Sequence, residues 1–305
     1  MATQKWYKGN IHTHTTESDG DESPEKVVGW YRRHGYDFLV LSDHNHLTLL
    51  EYGAGKRKFK RPIMIPGEEV SINIKQGTVP VHINGIGITR IVEPVDAGEV
   101  VPTLQANINL ILEAGGIASI NHPNFKWAFD HEAIQQVNGA SLLEVFNGHP
   151  GVNVYGAPDR PDYEEIWDRV LSSGKVIFGV ATDDSHNYKD FVPDKSNPGR
   201  GWLMVRSSEA SSPAIVDALG RGDFYASTGV ELEELEISGD AISLRAKQWR
   251  DMEYVTRFIG RDGAVHSEVV GTEASYRIRG NEGHVRATVR SSSGPKAWVQ
   301  PVFVG

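Results

Sequence analysis

Imidazoles and carboxylates recur in this chain where short apolar runs stop. The first run leads into Ile11-His12-Thr13-His14, with Asp19-Gly20 close behind, and the next ends at Ser42-Asp43-His44-Asn45-His46. Ile63-Met64-Ile65 passes into Pro66-Gly67-Glu68-Glu69-Val70, and His82 sits between Val81 and Ile83. Ile120 is followed by Asn121-His122-Pro123, the run 142–146 carries Glu144 and ends at Asn147-Gly148-His149, and 178–181 runs out into Thr182-Asp183-Asp184-Ser185-His186. Neutral imidazole combined with carboxylate suits first-row divalent cations. His12 and His14, two residues apart on a strand, point to the same side and can reach one ion; Asp184 and His186 repeat that spacing. Each feature alone has an ordinary explanation: a lone His is a hydrogen-bonded residue, Asp19-Gly20 a loop, Glu68-Glu69 a solvated pair. Their joint recurrence in one register is what argues for a site. His34, His46, His131, His266 and His284 fall outside that register and are read as ordinary surface or core residues.

The elements that must position these groups are strands alternating with helices through residue 229. Candidate strands are 6–11, 37–42, 62–65, 79–83, 117–120, 142–146, 176–181 and 202–206. Ser23-Pro24 opens a helix with apolar Val27, Val28, Trp30 and Tyr31, stopped by Gly35. Asp162 caps another, with Glu165 three residues on and Gly174 behind it. Ser212-Pro213 opens one that ends near Gly220, and Leu104, Ile108, Ile111 and Leu112 mark one before Gly115-Gly116. Such alternation implies parallel strands with crossover helices, and the count suits a closed barrel. All carboxyl ends of a parallel β/α barrel share one face, where such barrels build their sites. Residues 230–305 change texture, with period-two stretches at 253–259, 275–278 and 285–289 and no helical pattern.

Composition removes alternatives. The chain has 305 residues, 31 Lys+Arg and 40 Asp+Glu, hence a formal charge of −9. That acidity argues against a duplex nucleic acid held by its phosphates. With no cysteine, disulfide scaffolds, thiolate zinc sites, iron–sulfur clusters and cysteine nucleophiles are excluded, so a metal must be held by His, Asp and Glu. A membrane span needs about 18 consecutive apolar residues and no run approaches that, so a soluble protein with no membrane partner is expected. The start MATQKWYKG has no apolar core segment of a signal peptide, which leaves a cytoplasmic or an exported location open. No GxSxG elbow, Walker loop or GxGxxG fingerprint recommends another chemistry.

In their order along the chain the motifs resemble the PHP (polymerase and histidinol phosphatase) superfamily of metal-dependent phosphoesterases. They are HTH at 12–14, SDG at 18–20, SDHN at 42–45, PGEEVS at 66–71, VHING at 81–85, NHP at 121–123 and DSH at 184–186. FNGHPGVN at 146–153, RGDFYASTG at 221–229 and the β-rich trailing segment are similar to the carbaryl hydrolase (CehA/McbA-like) branch. The resemblance implies an α/β fold: a distorted (β/α)7 TIM-like barrel over 1–229, followed by an antiparallel, β-rich, sandwich-like accessory domain over 230–305. It also implies a ligand set of His12, His14, Asp19, His44, Glu69, His82, His122, Asp184 and His186, with Asp19 where some members use His. Glu69 is preferred to Glu68 as the bridging carboxylate because it directly precedes Val-Ser. Such a set implies two to three divalent ions (Mn, Fe or Zn). The implied division is His12, His14, Glu69 and Asp184 on one ion, Glu69, His82 and His122 on a second, and Asp19, His44 and His186 on a third.

The implied activity is hydrolysis of a small phosphomonoester or phosphodiester by a metal-bridging hydroxide, with Glu69 and Asp184 as catalytic ligands. His149 is the candidate proton donor to the leaving oxygen. Arg200, in a Pro-Gly-Arg-Gly loop, is the candidate phosphate clamp, and Glu144, Asn147 and Asn124 are further candidate substrate contacts, with Trp127 either lining the pocket or packing. The same centre can attack a carbonyl carbon, so carbamate or carboxylic ester hydrolysis is the alternative, and a non-catalytic metal-stabilised scaffold the third reading. The expected partner is a small, phosphorylated molecule. The C-terminal segment is expected to pack on the barrel or its mouth and is the candidate surface for homo-oligomer formation.

Overall fold

β1 (Lys5–Asn10) alternates buried and partly buried residues, then enters a fully buried stretch that continues to Thr15. This chain is described by a computed structural model covering residues 4–50 and 62–304. α1 (Pro24–Arg33) starts with proline in its first turn after an extended Ser23, buries Val27, Val28 and Tyr31, and gives way to Gly35 at φ 77°. β2 (Phe38–Val40) and β3 (Ile63–Ile65) pair in parallel beside β1.

The chain passes through Pro66 directly into β4 (Gly67–Asn73), turns through α2 (Ile74–Gly77), where Lys75 and Gln76 are left-handed, and returns antiparallel as β5 (Val79–Ile86). α3 (Val100–Glu113) crosses to β6 (Ile117–Ile120), and α4 (His131–Gln136) to β7 (Ala140–Asn147). α5 (Tyr163–Ser172) is capped by Asp162, which accepts from the Glu165 N–H at 2.7 Å, and leads to β8 (Phe178–Thr182). β9 (Trp202–Ser207), α6 (Ser212–Arg221) and β10 (Phe224–Ser227) complete this part. The cap of α6 is Ser211, one residue before the expected Ser212, and the left-handed stop is Gly222 rather than Gly220.

The expected single parallel barrel is not what the hydrogen bonding draws. Among the described residues the parallel ladders are β1-β2-β3 and β6-β7-β8, while β4-β5-β6 and β1-β9-β10 are antiparallel. The reason is connection length: β4 and β5 are joined by one tight turn, which suits antiparallel neighbours, whereas parallel ones need a crossover. β4 to β8 form a five-stranded sheet in sequence order, while β1, β2 and β3 belong to another sheet. The two meet through isolated bridges, Thr13 with Ser185 and His44 with Glu69. Both bridges lie among the metal-type residues.

Beyond Gly229 the chain is β-rich, as its texture implied: β11 (Leu232–Ile237), β12 (Ala241–Ala246), β13 (Tyr254–Ile259), β14 (Val265–Val270), β15 (Glu273–Arg277), β16 (His284–Ser291) and β17 (Lys296–Phe303). β11-β12-β15 form a small sheet, and the other four extend the β1 sheet into nine strands, ordered β14-β13-β16-β17-β10-β9-β1-β2-β3. That sheet crosses residue 229 through the β10–β17 ladder. Side chains reinforce the junction. Gln300 exchanges two hydrogen bonds with the Gly179 backbone, at 2.8 and 2.9 Å, binding β17 to β8. Arg286 on β16 grips Asp168 on α5 through Nε–Oδ1 at 2.6 Å and Nη2–Oδ2 at 2.7 Å. Among the described residues no helix is long and apolar enough to cross a membrane.

Candidate metal centre

The Thr13–Ser185 bridge lays two short arms side by side, His12-Thr13-His14 beyond β1 and Asp184-Ser185-His186 beyond β8. Residues at alternate positions on each arm face the same way, so four polar groups converge from one pair of arms. Asp184 Oδ1 lies 3.3 Å from both His12 Nε2 and His14 Nε2. The central Thr13 and Ser185 turn to the other side. There their hydroxyls meet at 2.6 Å, and Tyr188 OH lies 2.5 Å from the first and 2.6 Å from the second. This hydroxyl cluster sets the spacing of the arms.

β4 brings Glu69 into the same volume, and the His44–Glu69 bridge brings the end of β2. Glu69 Oε2 lies 3.0 Å from His44 Nδ1, 3.4 Å from His14 Nε2 and 3.5 Å from His12 Nε2; Oε1 lies 3.1 Å from His122 Nε2 and 3.3 Å from His82 Nδ1. Asp19 approaches His186 Nε2 at 3.3 Å and His44 Nε2 at 3.5 Å. Its loop folds tightly against the first arm, since a Cβ on Gly20 would meet the His14 carbonyl oxygen at 2.7 Å. All nine residues of the expected ligand set are therefore brought together. Glu68 is not among them; it accepts from the Val92 N–H at 2.6 Å, and burial pushes its pKa up to about 7.

Donor atoms fall within 4.8 Å of one another in four overlapping groups: His14, Asp19, His44 and His186; His12, His14 and Glu69; His12, His122 and Asp184; His44, Glu69 and His82. His122 thus groups with His12 and Asp184 as well as lying against Glu69. A cavity of about 130 Å³ opens among Asp19, His44, Glu69, His82, His122, Asp184 and His186, edged by Phe125, His149 and Val152. Buried polar atoms ordinarily have a hydrogen-bond partner. Here His12 Nε2, His14 Nε2, Glu69 Oε2 and both ring nitrogens of His82 are buried without one. Orphaned nitrogen and oxygen donors converging on one volume are what a divalent cation requires, so the residues fit such an ion.

The charges are strongly coupled. Burial alone would raise the Glu69 and Asp184 carboxyls, but the imidazoles around them, His12 foremost, hold both well below the usual carboxylate range. Burial and the neighbouring His186 push His14 down to about 4. His44 goes the other way, to about 10: burial lowers it, but the charges and hydrogen bonds of Glu69 and Asp19 together outweigh that.

Behind the donors stands a layer of supports. Glu144 is fully committed there: it meets His12 Nδ1 at 2.7 Å and accepts from the His122 N–H at 2.7 Å, Asn147 Nδ2 at 2.9 Å and Thr182 Oγ1 at 2.6 Å. It orients His12 and does not line the cavity. Asn121 donates to Glu69 Oε1 at 2.8 Å, and Ser71 Oγ meets His44 Nδ1 at 2.6 Å. Asp43 takes Thr15, Ser18 and Thr48, while Asp183 takes Tyr31 OH and the N–H groups of Gly199, Arg200 and Gly201. Asn121, Ser71, Asp43 and Asp183 were not singled out from the sequence. The signal was available, because each stands within two residues of a metal-type residue in its motif.

Two further candidate substrate contacts stand away from the metal cavity. The Arg200 guanidinium does not line the cavity; it donates to the Gly148 carbonyl at 2.8 Å and faces the Val192 and Pro193 carbonyls and Asn197 Oδ1 at 3.3–3.4 Å. Asn124 exchanges hydrogen bonds with Asn153 and donates to the Pro161 carbonyl, which locks two loops together instead of facing the cavity. Trp127 lies under Arg160, 5.6 Å from its ring centroid, and it is Phe125, two residues earlier, that reaches the rim. Asn147 does touch the cluster, donating to Asp184 Oδ2 at 3.1 Å. His149 edges the cavity, its ring 5.5 Å from that of His186, and its Nδ1 accepts from the Gly151 N–H at 3.0 Å. An accepting Nδ1 puts the imidazole proton on Nε2.

No sequence-family model matches the chain, and no curated relative matches it. Solved structures do. A two-domain protein of Bacteroides vulgatus, described as containing a predicted PHP-like metal-dependent phosphoesterase, superposes with a TM-score of 0.54 over 94% of this chain and 90% of its own, at 17% identity. The two share a fold. A lesion-specific endonuclease of Pyrococcus furiosus superposes with a TM-score of 0.44 at 12% identity, over 71% of this chain and 56% of the other.

Proposed function

We propose that this protein is a divalent-metal-dependent hydrolase of small phosphoesters, in which His12, His14, Asp19, His44, Glu69, His82, His122, Asp184 and His186 hold two to three ions of Mn, Fe or Zn. The observation that carries this reading is the set of buried, partnerless donor atoms on His12, His14, Glu69 and His82 around one small cavity. Divalent ions bound there would bring the pKa of water from about 15.7 towards 7 and offset charge on a phosphoryl oxygen. The fold shared with the Bacteroides protein supports the phosphoester assignment and the placement in the PHP superfamily. The carbaryl hydrolase-like branch rests on the motifs at 146–153 and 221–229.

Within this reading the chain's own groups divide the work. Glu144 fixes His12 through Nδ1 and so leaves Nε2 facing the cluster; Asn121 steadies Glu69, and Ser71 steadies His44. His149, with its N–H on Nε2 and its ring at the cavity edge, would give a hydrogen bond to the departing oxygen. Phe125 and Val152 form an apolar border that limits bulk water. The substrate is a small molecule, and duplex nucleic acid is not the partner of a chain with net charge −9.

A panel of nitrophenyl phosphomonoesters, phosphodiesters and carboxylic esters, assayed with added Mn, tests the assignment. Turnover of at least one phosphoester class, abolished by a chelator, is expected. Turnover of the carboxylic esters alone would make this an ester or carbamate hydrolase, and metal binding without turnover would make it a scaffold.

A further inference from the structure

A second cavity, of about 390 Å³, lies where the loop after β7, the start of α5 and strands β16 and β17 meet, and it shares no lining residue with the metal cavity. Its floor is aromatic: Phe146 and Trp298 stack with ring centroids 6.1 Å apart, and Tyr155, 83% exposed, stands at its rim. Trp298 is only 2% exposed, and its indole N–H lies against the Glu164 carboxylate without a well-formed hydrogen bond. The acids in the wall are engaged. Glu164 takes the Lys296 ammonium at 2.5 Å, and Asp162 caps α5. Arg286 nearby is consumed by Asp168. That leaves Arg290, exposed and with no partner among the described residues, as the uncompensated cation of the cavity. The volume is within the roughly 300–1,000 Å³ of small-molecule sites.

We propose that this cavity is a binding site for a planar aromatic carboxylate of one or two rings. The ring packs on Phe146 and the edge of Trp298 with Tyr155 as its cover, and the carboxylate pairs with the Arg290 guanidinium. The loop that supplies Tyr155 to this cavity also supplies His149 and Val152 to the metal cavity, so occupancy here bears on the rim of that site.

The test is an NMR titration of the full ¹⁵N-labelled, zinc-loaded chain with 2-naphthoate, following the indole N–H signals. Trp298→Phe, which keeps a ring and removes the donor, identifies the Trp298 signal. A saturable shift of that signal is expected, weakened about tenfold by Arg290→Met, since a charge-assisted bond is worth about 1.5 kcal/mol or more. 2-Naphthylmethanol, lacking the charge, should bind weakly and be indifferent to Arg290→Met. Absence of a saturable Trp298 shift overturns the proposal. So does naphthoate binding that survives Arg290→Met unchanged, and binding that disappears in Asp184→Ala would place the ligand on the metal centre instead. Arg290 is exposed, so its variant remains informative even where Trp298→Phe folds poorly.

Discussion

Two buried charge clusters in this molecule are built in opposite ways. At the junction of α5 and β16, Arg286 and Asp168 satisfy each other through two parallel bonds, Thr288 takes another guanidinium N–H at 2.8 Å, and the Trp167 ring centroid lies 4.8 Å from the guanidinium carbon. In the His and carboxylate cluster, nine side chains crowd together, yet His12, His14, Glu69 and His82 keep buried atoms without partners. Buried polarity that closes on itself is a joint. Buried polarity that converges and stays open is a receptor for something the chain does not contain. Removing a member should therefore damage function in one cluster and folding in the other.

Asp184→Ala gives the largest expected effect: it abolishes turnover while the chain stays folded, because the imidazoles left behind can become neutral, as a guanidinium cannot. A fall in midpoint with retained turnover would erase the contrast. Asp168→Ala should do the reverse. Leaving Arg286 buried with only Glu164, 3.6 Å away, as a counter-charge costs up to about 3–5 kcal/mol, read by urea unfolding, with metal content per chain unchanged. Glu144→Gln sharpens the comparison, since it acts through His12: a loss of about 10–100-fold in metal affinity or activity is expected, measured by competition with a chelator. The smallest effect concerns pH. Burial, helped by the charges of Arg286 and Arg261, pushes His284 down to about 4. Folding thus holds the neutral form, so its contribution to stability is full above the ordinary pKa near 6.5 and is lost as pH falls towards about 4. His284→Gln should flatten that slope in unfolding midpoints, and a slope unchanged by the substitution would count against it.

Much of this arrangement was readable from local pattern. The Asp162 cap is formed by the residue the sequence indicates, and His12, His14, His122, Asp184 and His186 follow the ends of β1, β6 and β8, where apolar runs stop, whereas His82 lies within β5 and Glu69 near the start of β4. Glu69 and Glu68 separate for the same reason: neighbours on a strand face opposite sides, and only one side is the cluster. What escaped was nonlocal. β4 was hidden by Gly67-Glu68-Glu69, whose charges disguise a buried strand, and the tight turn after it converts expected parallel pairing to antiparallel. Arg200 looked free as a loop arginine, but the carbonyls that capture it come from residues 148, 192 and 193. Glu144 has a strand-end signature like the ligands, and only the three-dimensional placement of His12, Asn147 and Thr182 shows that it stands behind them.

The central claim is that the scattered groups from His12 to His186 form one receptor for divalent cations. Its most direct test is metal content per chain by plasma mass spectrometry, after loading with Mn or Zn and desalting, with Glu69→Gln measured beside the parent because Glu69 belongs to two of the four donor groups. At least two ions per parent chain and the loss of at least one in Glu69→Gln are predicted. Less than one ion per parent chain, or parent-level content in Glu69→Gln, would contradict it.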